Sequence, residues 1–359
     1  MASLRVDAAL GRDALAELVA FHDEVYRTRD ARWGAFAPLQ LPFLLGEGPF
    51  AEGRRVRPFA AHDGDRLVAR GVAVIDERYQ RHWQEPLGHL VLFEALPDTS
   101  DAVRALVDAA SEWLAGAGAT AVRAGMGVFD YPFAIDDYET LPPAWLRQSP
   151  AYYHALLKDA GFETEQGFVD YKLRVTPALV AEWEQSLAAA EANGYRIVPL
   201  GQVPEAGRDT RFIDVWNASF AHHWGYTPFT AAELTAVTGF FGALGMLDVS
   251  MMAFCGDEPV GGLWVVPSTA EYATRAPGRA LRDDERLNVL GIAVRDVARG
   301  RGVNLAMAAR SFLELVRRGA TWLSYTLVLD DNWPSRRTAE KLGARVCANY
   351  VAYRRKLAR

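Results

Sequence analysis

One order of signals occurs twice along this 359-residue chain, and that repetition limits the folds open to it. Gly64-Asp65 followed by Val68 is matched by Gly256-Asp257 followed by Val260, each a tight turn inside an apolar hairpin pattern. Gly118-Ala119-Thr120 is matched by Gly319-Ala320-Thr321, each between a helical pattern and a strand pattern. Lys158 to Gly161 resembles Lys341 to Gly343, with a spacing one residue longer. The echoes come in the same order in both halves. They predict an α/β fold in two tandem domains. The first domain is expected over residues 1–175 and the second over 195–359. Residues 176–194 form a helical connector, with Thr176 as cap, Pro177 in the first turn and Asn193-Gly194 as the stop. The length suits two domains of ordinary size.

Within that plan, hairpins are expected over Phe59–Ile75 and Val249–Val266. Helices are expected over Asp13–Val25, Leu39–Leu45, Asp209–Ala221 and Thr230–Leu244. Half of the residues are hydrophobic and 23% are charged, an ordinary globular composition. A net charge of −6 argues against an extended nucleic-acid surface, and no nucleic-acid partner is expected. No apolar run reaches membrane-span length, and MASLRVDAALGRD lacks the apolar core of a signal peptide. Cys255 and Cys347 form neither a metal-ligand spacing nor a disulfide framework, so a cytoplasmic setting fits and no metal is expected. A monomer or a homodimer is compatible with all of this.

The stretch Leu287–Ala320 carries the chemistry. It reads as an apolar strand, the turn Arg299-Gly300-Arg301-Gly302, and a helix with Leu305, Ala309, Phe312, Leu313 and Val316 on one face. Glycines let a ligand approach the backbone, and the first amides of the helix have no partner inside it. With Arg295, Arg299 and Arg301 nearby, a phosphate or pyrophosphate is the natural guest. No Lys-Ser/Thr pair follows, so the turn is not a P-loop, and it lacks the third glycine of a dinucleotide fingerprint. The alternative is a plain strand-to-helix turn with solvated arginines.

These residues resemble the GNAT superfamily of acyl-CoA transferases. Arg299-Gly300-Arg301-Gly302-Val303-Asn304 is similar to the family's Arg/Gln-x-x-Gly-x-Gly/Ala signature, with Asn304 departing from the small last residue. Asn332-Trp333-Pro334-Ser335 through Lys341-Leu342-Gly343-Ala344 is similar to its second landmark. By the repeat, the whole chain resembles bacterial tandem-GNAT proteins, which implies an α/β fold in each domain, a central twisted mixed sheet flanked by helices. The resemblance implies acetyl-CoA or another acyl-CoA as donor. It implies that the backbone of Ile292, Ala293 and Val294 bonds the pantetheine, and that the amides of Arg299, Gly300, Arg301, Gly302, Val303 and Asn304 hold the pyrophosphate. Asn332 and Ser335 would lie beside the pantetheine arm. Arg336 or Arg337 would either reach a phosphate or stay on a solvated helix face. In the first half Leu96-Pro97-Asp98-Thr99-Ser100-Asp101 stands at the position of the turn, and its acids would repel a pyrophosphate. That half is expected to be a degenerate copy. Its strand-to-helix loop is longer, since 41 residues separate Thr120 from Gly161 while 22 separate Thr321 from Gly343. Phe129, Asp130, Tyr131 and Tyr138 in that loop either recognise a cationic amine or cover the sheet edge.

Acyl transfer needs a base, an oxyanion donor and an acid for the leaving thiolate. The family's usual acid is a Tyr where this chain has Ala339, which puts that step in doubt; Tyr325 is the substitute, or else a core residue. The base candidates are His222, His223 and Glu285. By the resemblance, Trp224, Tyr226 and Asn288 are the expected acceptor-binding residues. The function expected is an acyl-CoA-dependent N-acyltransferase acting on a small amine or amino-acid-like acceptor, with its donor in the second half. The alternatives are a transferase using an acyl carrier protein or aminoacyl-tRNA donor, and a non-catalytic acyl-CoA-binding protein.

Overall fold

A computed structural model describes residues 4–144, 146–268 and 278–358. The first half runs β1 (Leu4–Ala8), α1 (Arg12–Val25), α2 (Ala37–Leu44), β2 (Arg54–Asp63), β3 (Arg66–Asp76), α3 (Glu77–Trp83), β4 (Leu87–Ala95), α4 (Ser100–Gly116), β5 (Ala121–Ala124), the short β6 (Phe133–Ala134), α5 (Tyr153–Asp159) and β7 (Glu163–Arg174). After α6 (Pro177–Ala192), the second half runs β8 (Tyr195–Pro199), α7 (Arg208–Phe220), α8 (Ala231–Gly242), α9 (Met246–Val249), β9 (Met251–Cys255), β10 (Glu258–Val266), β11 (Val289–Val294), α10 (Val303–Arg317), β12 (Trp322–Leu329), α11 (Trp333–Lys341) and β13 (Arg345–Lys356). The order of the first half recurs in the second, apart from α3, β6 and α9. Both hairpins turn at a glycine with φ of 60°, Gly64 and Gly256, where a side chain would be strained.

The described strands form two sheets. Four strands run β11-β10-β9-β8, and nine join in the order β1-β2-β3-β4-β5-β13-β7-β12, with β6 on the edge of β13. The closing strands are therefore exchanged. β13, from the second half, lies between β5 and β7 of the first. β7, from the first half, lies between β13 and β12 of the second. Alternation along β7 decides what each face meets: Val169, Tyr171 and Leu173 join the core beneath α6, α10 and α11, while Phe168 joins a cluster with Leu329 and Tyr350.

The connector helix α6 belongs to the second half's core. Thr176 caps it by accepting from the Leu179 amide, and the buried Trp183 donates Nε1–H to the Leu342 carbonyl at 3.1 Å. The halves are also joined by ions. Glu233 on α8 is buried between Arg54 (2.6 Å) and Arg78 (2.5 Å) of the first half. No described helix is long and apolar enough to cross a membrane.

Candidate active site

β11 and β12 run side by side in parallel, yet no backbone ladder joins them. Side chains pin one end. Asn288 donates Nδ2–H to the Ser324 carbonyl at 3.0 Å and accepts from the Ser324 amide at 3.0 Å; the Ser324 hydroxyl donates to the Asn288 carbonyl. One step on, the Leu290 amide donates to the Thr326 hydroxyl at 3.2 Å, which donates to the Leu290 carbonyl at 3.1 Å. Asn288 is thus buried and spent on the closed end of the gap rather than aimed at an acceptor.

Beyond that end the strands part. Leu327 breaks the β12 register with φ of 48°, and its amide turns away to the Asp170 carboxylate on β7. On β11 the Asn288 and Leu290 backbone groups face β12, whereas the Arg295 amide faces β10 and donates to the Val260 carbonyl. Strand alternation then turns Ala293 toward β10 and leaves Ile292 and Val294 facing the gap.

The start of α10 lies at the open end. Gly302 caps the helix at φ 80° and Gly300 sits at φ 73°, both left-handed conformations that favour glycine. Among the described residues, no amide from Gly300 to Leu305 donates to the protein. That is a ready anion site. Arg299 braces the turn: its Nε–H donates to the Val294 carbonyl at 3.2 Å, its Nη2–H to the Ser219 carbonyl at 3.0 Å, and Asp296 pairs with it at 2.8 Å. Arg301 is exposed without a described partner. Asn304 ties α10 to α11, donating to the Thr338 hydroxyl at 2.6 Å, and Val303 is buried; both offer the site only their amides.

On the α11 side Asn332 caps the helix by accepting from the Ser335 amide at 3.3 Å. The Ser335 hydroxyl lies 3.0 Å from the Tyr325 hydroxyl, and burial pushes that phenol up to about 12. Arg336 is occupied, donating to the Tyr171 hydroxyl at 2.9 Å and the Asp330 carbonyl at 2.7 Å, with its guanidinium 4.4 Å from the Trp333 ring centre. The exposed Arg337 is the more available cation on this helix.

The turn after α7 carries the histidines. His222 is exposed. His223 is partly buried, its Nδ1 is 3.2 Å from the Trp224 carbonyl, and burial lowers its pKa. A bond from Nδ1–H to that carbonyl leaves the Nε2 lone pair free. Asp331, which precedes the α11 cap, lies close enough to oppose that lowering. The first half holds this turn in place: His82 Nε2 lies 2.7 Å from the Ala221 carbonyl, and Trp83 donates to the Tyr226 carbonyl at 2.7 Å. The Tyr226 hydroxyl bonds Asn217, and Trp224 packs against Phe168 and under the Arg123 guanidinium.

Glu285 is only 1% exposed. Burial would raise its carboxyl, but Arg279 and the amides of Arg282 and Leu141 reverse this and hold it below the usual range. It anchors the 279–285 segment to the first half's loop and is poorly placed to take a proton. Asp170 is a titratable group the sequence did not single out. It is 2% exposed, and burial raises its carboxyl to about 7 against the opposing pull of the Leu327 amide and Tyr350. An acid among the apolar residues of GFVDYKL was the available signal.

The matching place in the first half is filled. β4 and β5 pair from Leu87 to Leu90, then part where Leu92 takes φ of 53°. Arg147 enters there, donating to the carbonyls of Phe93 (2.7 Å) and Tyr131 (3.2 Å) and pairing with the buried Asp130. Asp130 also accepts from the Gly125 amide at 3.1 Å. At the start of α4, Asp98 and Asp101 stand where the second half has its glycine-arginine turn, and the Thr99 hydroxyl donates to the Leu96 carbonyl at 2.6 Å. The long loop thus packs against its own sheet. Phe133 is fully buried and Asp136 holds Asn349 of β13.

No protein-family model matches the chain. Protein YghO of Escherichia coli (strain K12) is 20% identical over 234 residues, covering 64% of this chain and 59% of that protein. The matched stretch thus spans about three fifths of that relative. Among solved structures, a region of a fungal multi-domain GH3 β-N-acetylglucosaminidase, described as a GCN5-related glucosamine N-acetyltransferase, aligns with a TM-score of 0.61 at 16% identity. It covers 99% of this chain and 38% of the other. A tandem GNAT protein from the clavulanic acid biosynthesis pathway aligns at 0.58 and 13% identity, covering 99% of both chains. A GCN5-related N-acetyltransferase from Sphaerobacter thermophilus aligns at 0.56 and 15% identity, covering 99% and 96%. These are likenesses of fold.

Proposed function

From the tandem GCN5-related N-acetyltransferase fold that this chain has, we propose that it is an acyl-CoA-dependent N-acyltransferase acting on a small amine, with one donor site, in its second half. One contrast carries the reading. Between β11 and β12 the gap keeps its facing backbone groups and a helix start with free amides, whereas the gap between β4 and β5 is taken by Arg147 and Asp130. The amides of Gly300–Leu305 hold the donor's pyrophosphate, with Arg301 and Arg337 as the available cations. Ile292 and Val294 bond the pantetheine amides, and an edge N–H there stabilises the thioester oxyanion.

The acceptor amine arrives on the α7–α8 face. His223 takes its proton at Nε2, the neutral tautomer being set by the Trp224 carbonyl. The nitrogen then attacks the thioester carbon, and the C–S bond breaks as the amide forms. The leaving thiolate takes a proton from the Tyr325 hydroxyl, relayed through Ser335, and the phenolate recovers through water the second proton that the nitrogen sheds.

The reading is tested by thermal unfolding with acetyl-CoA and longer acyl-CoAs. A raised midpoint is expected, and Arg299→Glu with Gly302→Glu should abolish it while the chain stays folded. No shift with any acyl-CoA would sink the proposal. Binding without turnover across a broad amine panel would instead favour a non-catalytic acyl-CoA-binding role, for which Ala339 is the motive.

A further inference from the structure

A cavity of about 100 Å³ in the first half plays no part in the reading above. Its floor is β3 and β4, where Arg70 and Glu94 stand opposite each other. They form no described ion pair. Glu94 is fully engaged elsewhere, with His22 Nδ1 at 2.9 Å, the Tyr26 hydroxyl at 3.1 Å and the Tyr153 hydroxyl at 2.5 Å. Burial would raise its carboxyl, but His22, Arg147 and Arg70 reverse this and bring it to about 2. Arg147 is spent on Asp130 and two carbonyls.

Arg70 is the group left over. It is 1% exposed, its Nη1 reaches only the Leu18 and Val19 carbonyls of α1, and its Nε–H has no acceptor. Gln148, 4% exposed, donates Nε2–H to the Trp33 carbonyl at 2.9 Å, which leaves its Oε1 without a donor. The Gln40 Oε1 also lacks a donor. All three residues line the cavity. A buried guanidinium that no carboxylate hydrogen-bonds and buried carbonyl oxygens without donors are both costly. One ligand of the right chemistry would answer all of them.

We infer that this cavity binds a small α-amino or α-hydroxy acid, its carboxylate on Arg70 and its N–H or O–H donors on Gln40 and Gln148. The neighbouring donor gap is closed by Arg147, so this is a binding pocket where no acyl transfer occurs.

Calorimetry and thermal unfolding of the full chain with L-serine, L-lactate, acetate and ethanolamine test it. Serine and lactate should bind and raise the midpoint. Acetate, which answers Arg70 alone, should bind more weakly, and ethanolamine, without a carboxylate, should not bind. Arg70→Met should weaken serine and lactate about tenfold or more. Ala35→Trp keeps Arg70 and fills the cavity from another wall, so it should abolish binding even where Arg70→Met fails to fold. The inference is overturned if neither serine nor lactate binds, or if both bind Ala35→Trp as tightly as the unaltered chain. No arm uses acyl-CoA, so failure of the donor-site reading leaves this test intact.

Discussion

Asp170, beside the second half's gap, and His223, on the turn after α7, show how burial sets chemistry. Asp170 holds the Leu327 amide with a carboxyl raised from 3.8 to about 7. The folded chain therefore binds that proton more tightly than the unfolded chain does. The sign follows: the stabilisation is complete below pH 3.8 and is lost as pH rises toward 7. The loss is at most roughly 4 kcal/mol. Asp170→Asn keeps an acceptor for Leu327 and removes the buried charge, so its stability relative to the parent should improve from pH 5 to pH 8. Urea unfolding at the two pH values checks this; an unchanged difference would refute it. His223→Gln should lower kcat by about 10²–10⁴ if Nε2 is the base. Acyl-CoA binding should be unaffected, which separates a chemical role from a fold defect. Because burial lowers the His223 pKa, the acid limb of kcat/KM should fall below pH 6.5.

Among the elements, the strand–turn–helix around Arg299 was legible because its signals are local: an apolar run, two glycines and a 3.6-residue period. The helix α3 was equally local but was missed. Asp76 caps it, accepting from the Arg78 and Tyr79 amides at 3.0 and 3.1 Å, and an Asp before Glu77 was the signal. It matters, because His82 and Trp83 at its end hold the turn that carries His223. Helix α8 is fixed to the same half by Glu233. Burial would raise that carboxyl, but Arg78 and Arg54 hold it below the usual range. Its contribution is present above the ordinary carboxylate range and lost as pH falls through its folded value. Glu233→Gln takes from Arg78 its hydrogen-bonded carboxylate and from Arg54 one of two, Asp76 still pairing with Arg54 at 2.8 Å, and should cost about 3 kcal/mol. Denaturant unfolding measures it; a cost near zero would mean that water compensates Arg54 and Arg78.

In the whole molecule, the exchanged strands make the two halves one folding unit. A chain ending before Arg345 loses β13 from between β5 and β7, exposing both edges. It should fail to fold in either half, not only the second; a stable first half in limited proteolysis would contradict this. With the first half's gap filled, calorimetry should find one acyl-CoA per chain. Two equivalent sites would overturn the assignment of Arg147 and Asp130.

The duplication, the order of most elements, the single glycine-arginine turn and the loss of its counterpart at Leu96–Asp101 are written in local sequence. Each rests on neighbouring residues and on periods that the backbone imposes. What the side chains of that plan do is set by packing between distant elements. That packing turned Asn288 into a pin and Glu285 into an anchor, engaged Arg336, and brought Asp170 and α3 to the second half's site. Those roles depend on contacts between residues far apart in the chain, 165 positions for Tyr171 and Arg336, where spacing along the chain carries no information. The same holds for the exchange of β7 and β13: both read as closing strands, and either pairing satisfies their alternation.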